Sequence, residues 1–333
     1  MIVLKERDVH SLLSNISVPE CKRLRTDLHD ILRAYSSTKN VSSSEQTIHQ
    51  PERVSIVTRT GNTSLFMPSS ITTSTGIKTV TISPKGLKGC VNVFAPDGEL
   101  LGILNAEEVT AFRTSLAVMI PYILWPNTKR NIVVFGAGRQ AEWHLKLALL
   151  LGNAMHVTVV NRSSPRRMEQ LFAELQRENA DLVCRVLLKT AEDFDSQLQE
   201  CLLSSDVIFC CTPSTTPHFP FSYLDTKPRF ISLIGSYKPS MQEIDSETLL
   251  SGGDIYVDTK EGCLIEAGEL IKAKVQGDKL IEIGELHKTK PLKNQGKNVI
   301  FKCVGMGIMD LVMAGSLLRM AMEKGTGLIV EDF

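Results

Sequence analysis

The run Ile132-Val133-Val134-Phe135-Gly136-Ala137-Gly138-Arg139-Gln140-Ala141 constrains this chain more than any other stretch. An apolar, β-forming segment enters a glycine turn, and the residues from Gln140 to Leu151 have the pattern of a helix. Gly136 permits a tight turn, Gly138 lets backbone come close to a pyrophosphate, and Ala141 lets the helix pack against the strand. The first helical N–H groups then point outward with a partial positive charge that suits phosphate. Gly-x-Gly-x-x-Ala is a weak signal by itself. Here strand, turn and helix follow in order and a second strand, His156–Val160, comes next, which makes it a dinucleotide fingerprint.

The residues closing that second strand predict which dinucleotide is bound. An NAD site usually places Asp or Glu there to accept hydrogen bonds from the ribose 2′-hydroxyl. This chain has Asn161-Arg162-Ser163, with Arg166 and Arg167 close behind. A carboxylate would repel a 2′-phosphate, whereas a guanidinium flanked by amide and hydroxyl donors binds one through charge-assisted hydrogen bonds. NADPH (NADP+) is therefore expected ahead of NAD(H).

With 333 residues, the chain is long enough for two domains. Its 37 basic and 37 acidic residues cancel, so neither a nucleic-acid partner nor a polyanionic membrane surface is expected. The eight cysteines are scattered without C-x-x-C spacing or a histidine cluster, so no metal site is expected. The N-terminal segment acquires acids at once, unlike a signal peptide, and no apolar run reaches membrane-span length. A cytoplasmic location is expected.

Along the chain, Ser17 caps a helix predicted over Cys21–Ala34. Short β-like segments follow at Arg53–Thr58, Ser64–Met67, Ile77–Ser83, Cys90–Phe94 and Leu100–Leu104, reading as a mixed, largely antiparallel sheet. Asn105 then caps a helix running toward Trp125, with Pro121 expected to kink or end it. From 131 to 300 strands and helices alternate, as in a doubly wound parallel sheet. Leu264–Lys274 and Asp278–Leu286 are read as short helices there, and Gly307–Lys324 as the last helix. The expected fold class is α/β, a Rossmann domain beside a mixed α+β domain.

Several motifs form one ordered set with the fingerprint. They are Arg53 in Pro-Glu-Arg-Val, Met67-Pro68, Lys78 in Ile-Lys-Thr-Val, and Thr110-Ala-Phe-Arg113-Thr-Ser-Leu-Ala. Further on come Cys211-Thr212-Pro213-Ser214, Ile234-Gly235-Ser-Tyr237…Glu243-Ile-Asp245, and Phe301-Lys-Cys303-Val-Gly305 with Asp310. This series resembles the ornithine cyclodeaminase/mu-crystallin family over nearly the whole chain. The resemblance implies a substrate-binding and dimerisation domain, 1–126 completed by 306–333, and a Rossmann domain, 127–305. It also implies a homodimer acting on an amino acid or its imine in the cleft between the domains.

Carried over by motif, Arg53 and Lys78 face the substrate, and Arg113 lies near both its carboxylate and the cofactor. Residue chemistry agrees, since an α-carboxylate calls for a bidentate cation. Arg113 on an otherwise apolar helix is costly unless paired, whereas Lys78, read without the family pattern, is better taken as a charge on a sheet face. The cofactor is expected to touch Arg113, Gly136, Ala137, Gly138, Arg139, Gln140, Ala141, Asn161, Arg162, Ser163, Thr212, Pro213, Ser214, Gly235 and Cys303. Cys303 stands where the family often has serine. Cyclodeaminases and the related archaeal-type alanine dehydrogenases carry an aspartate two residues after the glycine matching Gly235; this chain has Tyr237. A phenol with a pKa of about 10 is a poor base but can donate a proton, which gives Tyr237 a catalytic role in the expected set. Mu-crystallin-like ketimine reductases also lack that acid and favour NADPH with a similar Asn-Arg pattern.

The resulting expectation is an NADPH-dependent reductase of a cyclic or N-substituted imino acid, such as piperideine- or pyrroline-2-carboxylate. The alternatives are an ornithine cyclodeaminase that recycles NAD, an amino-acid or opine-type dehydrogenase, and a non-catalytic NADPH-dependent small-ligand binder.

Overall fold

The computed structural model describes residues 1–38, 46–162, 166–293 and 296–331. The chain divides into two compact units, Met1–Arg113 with Gly305–Phe333, and Thr114–Val304. The division falls inside one helix, while the boundary expected from sequence, 126/127, follows that helix's end.

The first unit begins with β1 (Ile2–Leu4), α1 (Glu6–Ser14) and α2 (Val18–Ser37). Ser17 and Glu20 form a reciprocal capping box at the start of α2, and Leu24, Leu28 and Leu32 form its buried stripe. Next come β2 (Ile48–His49), β3 (Val54–Val57), β4 (Thr63–Ile71), β5 (Ser74–Ser83), β6 (Gly86–Phe94) and β7 (Leu100–Asn105). Helices α3 (Ala106–Leu124) and, much later, α10 (Gly307–Lys324) with β16 (Leu328–Ile329) complete the inventory. The sheet runs β16-β1-β7-β6-β5-β4-β2, with β3 also paired to β4. Its pairings are antiparallel except for β1 with β7. Side chains alternate across β5, so Gly76, Lys78 and Val80 share its buried face. α10 lies on that face. A Cβ on Gly76 would sit 2.7 Å from Leu311, and one on Gly102 2.5 Å from Leu318, so these glycines admit the helix's leucines.

Two expectations change in this region. The strand expected to begin at Cys90 starts already at Gly86, so that with β5 reaching Ser83 the two form a tight hairpin. Pro121 does not end its helix, since α3 continues to Leu124 and Trp125 N–H still bonds to Pro121 O at 3.0 Å. A proline near a helix end gives up only one N–H, and the apolar packing of Tyr122 and Trp125 on Phe230 outweighs that loss.

The second unit contains β8 (Asn131–Phe135), α4 (Arg139–Leu151), β9 (His156–Asn161), α5 (Arg166–Glu178), β10 (Val183–Leu188) and α6 (Phe194–Ser204). Then follow β11 (Val207–Cys210), β12 (Phe230–Leu233), α7 (Ser246–Leu250), β13 (Gly252–Val257), α8 (Lys260–Glu266), α9 (Gly268–Lys272), β14 (Leu280–Glu282) and β15 (Asn298–Lys302). The strands form one wholly parallel sheet in the order β10-β9-β8-β11-β12-β15-β13-β14. Sequence order reverses at β8, so the ends of β8 and β11 flank the crevice where such sheets bind ligands. Phe135, Phe209, Phe230 and Phe301, one per central strand, are almost fully buried, each contributing roughly 1.5–3 kcal/mol of apolar burial. The helix expected at Asp278–Leu286 is instead β14 between two 3-10 turns, because pairing with β13 draws Leu280–Glu282 into the sheet. Leu264–Lys274 is broken at Ala267 into α8 and α9. Among the described residues no helix is long and apolar enough to cross a membrane.

Candidate functional site

Two constellations emerge, one in each unit. In the first, Lys78 on β5 and Arg113 on α3 converge on Asp310 in the first turn of α10. Lys78 Nζ lies 2.6 Å from Asp310 Oδ2, and Arg113 Nε donates to Oδ1 at 3.0 Å. All three side chains are buried: Lys78 and Arg113 are 3% exposed and Asp310 is 0%. The acid gains further from the N-terminal end of its helix, where backbone N–H groups point toward it. Gly305, with φ +87°, seats the arginine: a Cβ there would come within 2.9 Å of Arg113 Nη2. Gly307 lets the helix start against β4, since a Cβ would lie 2.9 Å from Met67 O.

The electrostatics are those of a cation cluster. Burial holds the Lys78 ammonium down to about 8, with the Arg113 and Arg53 charges pushing the same way and Asp310 opposing. Arg53, half-buried just before β3, is thus close enough to be felt at Lys78. The inward position of Lys78 decides against the sheet-face reading that the residue alone favoured. Asp310 is the residue that residue chemistry alone passed over. A lysine in phase with buried Gly76 and Val80, and an arginine on an apolar helix, each required an acid partner, which is the signal that could have singled it out.

In the second unit the glycine turn behaves as its residue types demand. Gly136 has φ +107°, and a Cβ there would lie 2.5 Å from Thr212 Cγ2. Gly138 begins α4 without a side-chain cap, and a Cβ on it would meet nothing within 4 Å. Its surroundings are open at the helix end where the first N–H groups have no acceptor within the helix. Ala137, Arg139 and Gln140 are half-buried and Ala141 is fully buried under the helix. A dinucleotide's phosphates therefore fit this turn. The loop after β11 meets the loop after β12, because a Cβ on Gly235 would come within 2.1 Å of Thr212 O. Thr212 thus stands between Gly136 and Gly235, three expected cofactor residues gathered at the switch point.

Beneath them is a charge network that sequence reasoning missed. The Glu243 carboxylate accepts N–H bonds from Thr212 at 3.1 Å, Gly235 at 2.7 Å and Ser236 at 3.3 Å. Glu269 accepts from the Glu243 N–H at 3.0 Å and from the Ser236 hydroxyl. Lys302, inside β15, donates to Ser236 O at 2.6 Å and lies 3.7 Å from Glu269. All three charged groups are essentially fully buried. Burial pushes the Glu243 carboxyl up, against the His218 hydrogen bond and the Lys302 charge. A lysine within the apolar run Val-Ile-Phe-Lys302-Cys-Val was the available clue.

The remaining expected residues are more dispersed. Asn161 ends β9 half-buried, and Arg162 beyond it is exposed. Ser163 lies outside the described residues. Pro213 is exposed, and the Ser214 hydroxyl is turned into its own loop, donating to Thr216 O at 2.6 Å. Tyr237 is half-buried, with the Lys238 ammonium 5.6 Å from its ring centre. The buried Cys303 thiol donates to Asp258 Oδ2 at 3.2 Å. His144, on α4, is held down to about 4 by burial while bonded to Gln140 O at 2.7 Å, a neutral packing residue. No group of metal-binding side chains occurs among the described residues.

The sequence model of the ornithine cyclodeaminase/mu-crystallin family matches residues 12–325. A Delta(1)-pyrroline-2-carboxylate reductase of Bacillus cereus is 28% identical over 81% of this chain and 85% of its own. Among solved structures, the Thermococcus litoralis Delta(1)-pyrroline-2-carboxylate reductase in complex with NADH and L-proline superposes with a TM-score of 0.82. It is 21% identical and covers 99% of this chain and 100% of its own. An archaeal alanine dehydrogenase dimer with bound NAD gives 0.79 at 20% identity, over 100% and 99% of the two chains.

Proposed function

The chain belongs to the ornithine cyclodeaminase/mu-crystallin family, and on that premise we propose that it is an NADPH-dependent reductase of cyclic or N-substituted imino acids. The observation carrying this reading is the buried convergence of Lys78 and Arg113 on Asp310, with Arg53 within electrostatic reach. Such a cluster suits an α-carboxylate, which a guanidinium grips in bidentate fashion. The substrate class is supported by the Bacillus cereus and Thermococcus litoralis relatives, both named for Δ1-pyrroline-2-carboxylate.

In this mechanism Arg113 and Arg53 orient the carboxylate. When bound, the reduced nicotinamide supplies the hydride that the C=N carbon accepts. The imine nitrogen then takes a proton, and Lys78, whose pKa is held near 8, is suited to give it close to neutral pH. Asp310 fixes the ammonium at 2.6 Å and keeps its charge from being lost entirely to burial. Tyr237 is the alternative donor. The Gly136–Gly138 turn and the start of α4 would hold the pyrophosphate, and Thr212 and Gly235 the nicotinamide end. The two solved neighbours carry NADH and NAD, so the NADPH preference rests on Asn161-Arg162, where β9 ends without a carboxylate. A cytoplasmic homodimer completes the proposal. In support, the archaeal neighbour is a dimer and the first unit exposes Met322, Leu328 and Ile329 beside a cavity of about 710 Å³.

The test is oxidation of NADPH and of NADH by the purified protein against Δ1-pyrroline- and Δ1-piperideine-2-carboxylate. Turnover with at least one ketimine, faster with NADPH, is expected. No turnover with either, together with conversion of ornithine to proline and ammonia, would overturn the assignment.

A further inference from the structure

In the sequence His218 is an ordinary loop histidine after Pro217. In the fold its ring lies flat on Phe135, the residue before the Gly136 turn, with centroids 4.7 Å apart and planes 5° from parallel. Its backbone N–H bonds to Glu243 O at 2.8 Å, and its side chain is only 5% exposed. Nε2 faces two oxygens, Thr212 Oγ1 at 2.7 Å and Glu243 Oε1 at 3.9 Å.

Those two neighbours favour one tautomer. Glu243 receives three backbone N–H donors, as an ionised carboxylate does, and a negative charge beside Nε2 favours the proton on that nitrogen. Nε2–H then donates to Thr212 Oγ1, so the threonine oxygen acts as acceptor and its own proton must turn elsewhere. The Thr212 methyl lies over Gly136, where a Cβ would meet it at 2.5 Å, while its hydroxyl oxygen is held at 2.7 Å by His218. In this rotamer only the direction of the O–H remains to be set.

We propose that His218 is a positioning residue for the dinucleotide: by donating Nε2–H to Thr212 Oγ1, it presents the Thr212 hydroxyl proton to an oxygen acceptor of the bound cofactor. This rests on the reading of the second unit as the NADPH site. Phe135 supports the ring, Glu243 sets its proton, and Thr212 carries the effect to the crevice.

The experiment measures NADPH affinity of the full chain by fluorescence titration, without turnover, for wild type, His218→Phe, His218→Gln, Thr212→Val and the His218→Phe/Thr212→Val double variant. Phenylalanine keeps the stack on Phe135 and removes the donor; glutamine restores an N–H near the Nε2 position. His218→Phe is expected to bind about three- to tenfold more weakly, the worth of one hydrogen bond. His218→Gln is expected to recover most of that loss, and the double variant to bind no more weakly than Thr212→Val alone. A residue that merely fills space would give no recovery with glutamine and additive losses in the double variant, and either result overturns the proposal. Unchanged affinity in His218→Phe does so too. Should that variant not fold, the tautomer decides: nitrogen-15 spectra of the wild type must show the proton on Nε2, and a proton on Nδ1 alone rejects the idea. Failure of the wild type to bind either NADPH or NADH would instead remove the dinucleotide reading itself, and this inference with it.

Discussion

Both units bury charge, but they use it in opposite ways. In the first, Lys78 and Arg113 aim cationic groups at one carboxylate, Asp310, and Arg53 adds to the positive field. In the second, Glu243 and Glu269 share Lys302, and the Glu243 oxygens are taken up by the N–H groups of Thr212, Gly235 and Ser236. The contrast teaches what each arrangement is for. Acceptors bonded to backbone tie two loops together and leave little for a ligand. Cations gathered on one acid keep a net positive charge, which on the proposed reading meets a substrate anion. One network builds a floor, and the other is the proposed grip.

The floor is broken most severely at its tightest point. Gly235→Ala places a methyl 2.1 Å from Thr212 O, a backbone atom, and 2.6 Å from Glu243 Oε1. A stability loss of about 3 kcal/mol or more is expected by chemical denaturation. An unchanged midpoint would mean that the two loops are not locked together.

Paired isosteric substitutions sharpen the contrast. Glu243→Gln turns an NH2 group toward backbone donors and should lower stability by about 2 kcal/mol, with weaker cofactor binding. Asp310→Asn strips the shared acid from two buried cations. It should cost about 3 kcal/mol and lower kcat/KM on an imino acid roughly a hundredfold. The comparison fails if Asp310→Asn leaves kcat/KM intact while Glu243→Gln abolishes it.

The smallest effect is in pH. Lys78 titrates near 8 in the fold and at 10.5 when unfolded. Between those values the unfolded chain holds a proton that the folded chain has released, so this residue makes folding more favourable as pH rises through that window. Its grip on an anion runs the other way. Pyrrole-2-carboxylate should bind about tenfold more weakly above pH 8 than below, with an inflection that Lys78→Met removes. A flat profile in the wild type would take Lys78 out of the cation cluster's function.

How much of this was readable in advance depended on the range of the interaction. The Gly136 turn was legible because strand, turn and helix are neighbours in sequence, and its glycines answer local demands. Arg113 stood out because Phe112 and Leu116 on the same helix left a charge without an evident excuse. Lys78 did not, since its acid lies far along the chain in α10 and only the pleat of β5 shows that it points inward. Of the Glu243–Glu269–Lys302 network only the lysine in its apolar run was visible, because the two acids acquire meaning only when the fold carries all three under the loops. Leu280–Glu282 was misread as helix because a short apolar run takes its conformation from a neighbouring strand.

The discontinuity of the first unit has a consequence for synthesis. Residues 114–304 are one uninterrupted stretch and can condense while the ribosome is still at work. The first unit must wait: α10, which covers β5 and delivers Asp310, is translated only after that entire stretch. Until then Lys78 and Arg113 lack their counter-ion and the glycine notches at 76 and 102 stand unfilled. The Lys78–Arg113–Asp310 cluster, the proposed anion grip, is therefore the last part of the nascent protein to mature.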